Sequence, residues 1–339
     1  MTNLPTRNRR ILLASRPAGE PTAANFTLDE APIRALEPGE LLLRTRYLSL
    51  DPYMRGRMNA TKSYAAPVEV GAVMVGGTVS EVVASRNDAF APGAVVASFS
   101  GWQEYDISNG AGLRILDPAL APVSTALGVL GMPGLTAYAG LLEIGKPVAG
   151  ETVVVAAATG PVGSLVGQIA KRLGCRVVGV AGGAEKCAYA ETELRFDACL
   201  DHRAPDFAER LRAACPAGID VYFENVGGSV LAAVIPLLNP FARMPVCGLV
   251  AWYNETGFPA PDQLPGFMRC VLSNRLTVRG FIVTDFAHLQ ERFASEVGGW
   301  LREGAIVYRE DVVEGLERAP EALIGLLRGA NFGKVIVRV

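Results

Sequence analysis

Gly160, Pro161, Val162 and Gly163 follow directly on an apolar β-type run, Val153 to Ala158, and precede a helical pattern containing Gly167. A strand that turns tightly into a helix sets backbone N–H groups and a helix N-terminus before a phosphate. The chemistry expected of Thr159–Gly163 is therefore binding of a dinucleotide pyrophosphate. The spacing is G-x-x-G-x-x-x-G rather than G-x-G-x-x-G, and glycines also serve ordinary turns, so the neighbouring segments decide the matter. The next apolar run ends in Ala181-Gly182-Gly183 with no carboxylate at its tip, and Lys186 lies one turn further on. A carboxylate there would bond a ribose 2′-hydroxyl; an ammonium suits a 2′-phosphate, which favours NADP(H) over NAD. Glu185 opposes that reading, and Lys186 as an ordinary solvated helix residue is the alternative.

Metal chemistry is poorly provided for. The chain has two histidines, His202 and His288, and its six cysteines all fall at Cys175 or later, with no C-x-x-C pair. The first 170 residues hold neither type, so that part of the chain cannot build a His/Cys zinc site, and no metal is expected. The thiols read as buried and reduced, which places the protein in the cytoplasm. Net charge is −2 over 339 residues, 50% hydrophobic and 19% charged. That gives no electrostatic case for nucleic acid or anionic membrane, and no apolar run reaches the 18 or so residues that span a bilayer. Arg7, Arg9 and Arg10 precede only four apolar residues, too few for a secretion signal. They are expected to form a frayed leader to a strand over Arg10–Ala14.

The elements that must position these residues alternate. Strand-like runs at Cys175–Ala181, Ala198–Leu200, Asp220–Asn225 and Ala242–Leu249 are separated by helical patterns at Glu185–Leu194, Phe207–Cys215 and Val230–Leu238. This predicts an α/β, doubly wound parallel sheet with its ligand edge at the strand C-termini. Residues 1 to about 125 instead carry short β-type runs, Leu41–Arg46, Val73–Val83 and Ala94–Phe99, expected to form a mainly-β, partly open barrel. Leu127–Leu142 reads as a helical bridge, Gly257–Gly266 as a loop able to act as a lid, and the last strand, within Asn331–Val337, as a return to the first domain. The division expected is 1–126 with 304–339 for the β-rich catalytic domain, and 127–303 for the dinucleotide domain.

Taken together, LSLDPYMRGRM, SYAAPVEVGAVMVGGTV, GWQEY, MPGLTAYAGL, AAATGPVGSLVGQIAK, DVYFENVGG, VCGLVAWYN and NFGKVIVRV run in order along nearly the whole chain. The set resembles the zinc-independent medium-chain dehydrogenase/reductases, in the leukotriene hydroxydehydrogenase, prostaglandin reductase and 2-alkenal (curcumin-type) double-bond reductase group. The resemblance implies a Rossmann domain with a GroES-like catalytic domain. It also implies NADPH-dependent reduction of a carbon–carbon double bond conjugated to a carbonyl, in a small-molecule enone or enal. The cofactor contacts it implies are Pro52, Met132, Thr136, Thr159, Gly160, Pro161, Val162, Gly163, Gly182, Lys186, His202, Asn225, Cys247, Gly248, Leu249, Tyr253, Phe281, Val283, Asn331 and Gly333. His202 stands where the group has a tyrosine, and Arg195 where it has a glycine; Arg195 is expected at the surface. Hydride delivery to the β-carbon leaves negative charge on the carbonyl oxygen, which neutral hydroxyl donors can stabilise. By resemblance the donors are Tyr53, Tyr64 and Tyr253, although each could simply pack its ring and wet its tip. Met54, Trp102, Met132 and Trp252 are expected as apolar walls, with core packing the alternative. Arg55 and Arg57 are expected to pair with nearby acids such as Asp51. Thr277–Val283 is expected to extend the sheet across a two-fold, giving a homodimer. A quinone reductase and a non-catalytic nucleotide-binding protein are the competing functions.

Overall fold

The computed structural model describes residues 4–255 and 264–339. The chain begins with strands β1 (Arg7–Leu13), β2 (Phe26–Pro32) and β3 (Leu41–Ser49), followed by a short helix α1 (Tyr53–Arg57). Strands β4 (Thr78–Ser85), β5 (Val95–Ser98), β6 (Tyr105–Ser108) and β7 (Arg114–Ile115) follow. The middle of the chain runs α2 (Met132–Ala139), β8 (Thr152–Ala156), α3 (Gly163–Arg172), β9 (Arg176–Ala181), α4 (Ala184–Thr192), β10 (Ala198–Asp201) and α5 (Phe207–Ala214). It continues through β11 (Ile219–Phe223), α6 (Gly228–Val234), β12 (Leu238–Val246), α7 (Leu264–Asn274), β13 (Thr277–Gly280) and α8 (Gln290–Arg302). The chain closes with β14 (Glu310–Glu314), α9 (Ala319–Leu327) and β15 (Lys334–Arg338).

Two compact units result, Met1–Gly128 with Glu310–Val339, and Val129–Arg309. The second is a six-stranded parallel sheet in the order β10-β9-β8-β11-β12-β13, the doubly wound Rossmann arrangement. Its central strand β8 is buried along its whole length, which is why its sequence is a continuous β-branched run rather than an alternating one. Val153 and Val155 pack on one face with α3 and α8; Val154 and Ala156 pack on the other with α5 and α6. The strand order reverses between β8 and β11, and this is where such sheets bind ligands.

The first unit is mainly β: β14-β15-β3-β4-β5-β7, with β6 on β3, beside the β1–β2 pair. The last strand joins it, β15 lying antiparallel to β3. The units divide at 128/129 and 309/310 rather than at 126/127 and 303/304, for reasons visible in the packing. Leu127 clusters with Val79 and Ile336 of the β unit. Ile306 is buried in the Rossmann core, and Gln168 brackets Val307, donating to its carbonyl at 3.0 Å and accepting from its N–H at 2.8 Å.

Other expectations are corrected. The arginine-rich start is no frayed leader: β1 begins at Arg7, Arg7 pairs with Glu30, and Arg10 meets Asp29 at 2.6 Å. The strand expected from Val73 begins only at Thr78, because Gly76 lies so close to Leu48 that a Cβ there would stand 2.8 Å from its side chain. Within Leu127–Leu142 the helix starts at Met132, Gly131 being extended and Pro133 suiting a first turn. The strand expected over Ala242–Leu249 runs Leu238–Val246 and ends where Cys247 leaves the sheet. Of the expected lid, 257–263 lies outside the described residues and Leu264–Gly266 opens α7. The run Thr277–Val283 keeps only four residues as a strand.

Candidate active site

The turn after β8 is built around contacts too close for side chains. A Cβ on Gly163 would stand 2.3 Å from the Ala157 carbonyl oxygen, and one on Gly167 would stand 1.9 Å from Phe196. The first closeness makes the strand-to-helix turn; the second makes room on α3 for the Phe196 ring, which also packs against Gly179 of β9. Ala157 adopts φ +53 to start the turn, and Gly160 donates back to its carbonyl at 3.0 Å. No side chain among the described residues caps α3; the Ser164 N–H donates to the Gly160 carbonyl at 2.9 Å, and Thr159 beside the turn is buried.

Across the reversal point, Asn225 donates from Nδ2 to the Ala156 carbonyl at 2.8 Å, tying the end of β11 to the end of β8. Its turn is set by Glu224, a buried carboxyl that accepts from the N–H groups of Val226 and Gly227 at 2.6 and 2.8 Å. Burial pushes the Glu224 carboxyl above the usual range. Cys247, Gly248, Leu249, Tyr253 and Phe281 together line one cavity of about 390 Å³, with Asp285 on its wall. The Tyr253 hydroxyl accepts from the Leu249 N–H at 3.4 Å and lies close over Gly248, 3.0 Å from where a Cβ would stand. Burial, with Glu224 beside it, pushes the Cys247 thiol up to about 12, so it is no thiolate near neutral pH. Val283 opens the turn after β13. Met132 opens α2, and Thr136 donates from its hydroxyl to the Met132 carbonyl at 2.8 Å.

At the other end of this edge, Gly182 and Gly183 lead from β9 into α4, and the backbone N–H of His202 donates to the Ala181 carbonyl at 3.1 Å. Lys186 and His202 are half-buried there and Arg203 is exposed. Burial holds the His202 imidazole below its ordinary range; the charges of Arg203 and Lys186 add to this, and Asp201 opposes it. Arg195 is exposed with φ +60, a backbone shape that glycine takes without strain.

Five expected residues belong to the mainly-β unit. Pro52 caps α1 and Tyr53 begins it, half-buried. Burial and the charge of Asp51 push the Tyr53 hydroxyl well above its usual range, Arg57 opposing and Tyr64 adding. Tyr53 therefore stays a neutral donor. Tyr64 is 62% exposed. Asn331 donates to the Gly333 carbonyl at 2.8 Å in a turn whose Phe332 and Gly333 N–H groups both reach Asp311. The strand end before Tyr53 is pinned by a buried ion pair: Lys334 Nζ lies 2.6 Å from Asp51 and 2.7 Å from the Leu50 carbonyl. Asp51 is thus engaged by Lys334, and buried Arg55 is held by Asn59 and the Gly19 carbonyl. Met54 and Trp102 are wholly buried core, Trp102 stacked on Phe26, and form no site wall. Arg203, Asp285 and Glu224 lie beside the expected residues and were passed over by the sequence reading, though Arg203 adjoins His202 and Glu224 adjoins Asn225.

Fold and site together define a two-domain oxidoreductase. Residues 9–116 match the family described as the N-terminal domain of oxidoreductase, and 161–297 the family described as zinc-binding dehydrogenase. Among curated proteins, the chain is 58% identical over 335 residues to the NADPH-dependent curcumin reductase of Escherichia coli, covering 98% of this chain and 97% of that one. It is 43% identical over 325 residues to prostaglandin reductase 1 of Rattus norvegicus, covering 94% and 95%. Among solved structures, CurA in complex with NADPH from Vibrio vulnificus superposes with a TM-score of 0.95 at 55% identity, covering 98% of this chain and 99% of that one. The chain belongs to the zinc-independent medium-chain dehydrogenase/reductases, in the group of the curcumin and prostaglandin reductases. Among the described residues no group of three or more histidine, cysteine, aspartate or glutamate side chains is placed to hold a metal ion.

Proposed function

We propose that this enzyme uses NADPH to reduce the carbon–carbon double bond of α,β-unsaturated aldehydes and ketones. The residues present fit the coenzyme. The turn Thr159–Gly163 has no room for side chains at its closest point, which suits backbone contact with a pyrophosphate. The tip of β9 carries no carboxylate, and Lys186, His202 and Arg203 gather beside it, which suits a 2′-phosphate. Bound there, the coenzyme supplies a hydride to the β-carbon. The chain's own part is to orient and to stabilise charge. Cys247–Leu249 and Phe281 would hold the nicotinamide end, with Asn225 fixing the reversal point. Tyr253 would donate to the carbonyl oxygen as charge develops on it; Tyr53 and Tyr64 enter only by the family resemblance, as a further donor and a proton source.

The observation that carries this reading is the Tyr253 hydroxyl, set into the cavity at the ends of β12 and β13. The test is a panel of alkenals, cyclic, aryl and prostaglandin-type enones, and quinones, followed by loss of NADPH absorbance. Turnover is expected on enones and enals at least about tenfold above quinones; the reverse order makes the protein a quinone reductase.

Two further features are read on the same footing. The edge strand β13 is exposed at all four residues, and α7 carries exposed Leu264, Met268 and Leu272 at helical spacing. An open sheet edge and an apolar stripe suit a homodimer. All six cysteines are free thiols, which suits a cytoplasmic location. No helix among the described residues is long and apolar enough to cross a membrane.

A further inference from the structure

We propose that Arg203 is a second fixed cation for the coenzyme 2′-phosphate, acting beside Lys186 to select the phosphorylated dinucleotide. The inference rests on reading the Gly182 turn as the seat of that phosphate. A Cβ built on Gly182 would stand 3.1 Å from Cζ, from Nε and from Nη2 of Arg203 alike. Three guanidinium atoms at one distance mean that the group lies flat over the Gly182 backbone. A side chain at 182 would press on it and shift it by a few tenths of an ångström, so this glycine lets the group lie where it does.

The turn that delivers Arg203 is fixed at its base. Its backbone N–H donates to Asp201 Oδ1 at 3.0 Å, and the next residue back, His202, donates its N–H to the Ala181 carbonyl. Asp201 is the acid nearest to hand, and it is occupied by backbone: it also accepts from Gly183. No ion pair between Arg203 and a carboxylate occurs among the described residues. Lys186 and Arg203 both act electrostatically on His202, so two cations and an imidazole share one small patch at the end of β9 and β10. Like charges held together repel, and a doubly charged phosphate would offset them. A flat guanidinium offers two parallel N–H groups to such an anion, which an ammonium cannot.

The experiment is calorimetric titration of the intact protein with 2′,5′-ADP (adenosine 2′,5′-bisphosphate) and with 5′-AMP, two probes that differ only in the 2′-phosphate. Wild type, Arg203→Gln, Arg203→Lys and Lys186→Ala are compared at one ionic strength. Wild type is expected to prefer 2′,5′-ADP by more than about tenfold. Arg203→Gln is expected to lose about tenfold on 2′,5′-ADP while 5′-AMP changes less than about twofold, and Arg203→Lys to recover only part. Unchanged 2′,5′-ADP affinity in Arg203→Gln overturns the proposal. So does an equal loss for both probes, which would make Arg203 an adenine platform or a structural residue. If wild type itself binds the two probes equally, the assignment of the phosphate seat fails first, and Lys186→Ala will then also leave both unchanged.

Discussion

By the family resemblance His202 stands where a tyrosine is expected, and its surroundings decide what it does there. Burial and the charges of Arg203 and Lys186 hold the imidazole below its ordinary range, against the opposing pull of Asp201. It is therefore neutral at pH 7 in the free protein and offers a phosphate a single N–H. A phosphate beside it would raise that value, so protonation and coenzyme binding favour each other. The contribution is fully present below the free imidazole's titration and is lost as pH rises through the bound one. The ratio of wild-type to His202→Gln affinity for NADPH is thus expected to grow as pH is lowered from about 8 to about 6. Titrations at several pH values check this, and a ratio independent of pH would remove His202 from the phosphate. Arg195, the other departure, sits exposed in a left-handed backbone shape, where a side chain is tolerated because it meets nothing.

At the scale of elements, the β8–α3 turn was the most legible part of the chain, because its constraint is steric and glycine is the only residue that meets it. Gly167 illustrates the point. An alanine there would force its methyl to 1.9 Å from Phe196, and overpacking of this kind typically costs about 1–3 kcal/mol. Gly167→Ala is expected to lose about 2–3 kcal/mol in denaturant unfolding, and Phe196→Leu in the same chain to restore part of it. No loss would mean that the Phe196 ring does not pack this closely on α3. Apolar runs likewise located the buried strands β8, β9 and β11, because buried parallel strands have no polar face to blur them. Their ends were harder to read. Where β12 stops at Val246, or β4 begins at Thr78, is set by neighbours far along the chain. Arg203 and Asp285 were illegible for the same reason: each is a common charged residue whose meaning comes from the backbone on which it lies.

For the whole molecule, the alternating pattern and the late strand Lys334–Arg338 made two units visible, but not where they divide. That is settled by Leu127, Ile306 and Gln168, single side chains that commit their segments to one core or the other. Assembly belongs to this scale as well. Leu272 is 80% exposed on α7, and Leu272→Glu is expected to convert a dimer to monomers by light scattering while NADPH binding persists. A wild-type monomer would contradict the dimer. The central claim is that hydride reaches the β-carbon of an enone under tyrosine donors. It is tested most directly by turnover of a simple enone with NADPH deuterated at the transferable position, followed by mass and NMR analysis of the product. The account predicts a saturated ketone with one deuterium on the β-carbon; deuterium on the carbonyl carbon of an allylic alcohol, or no turnover on any enone, would contradict it.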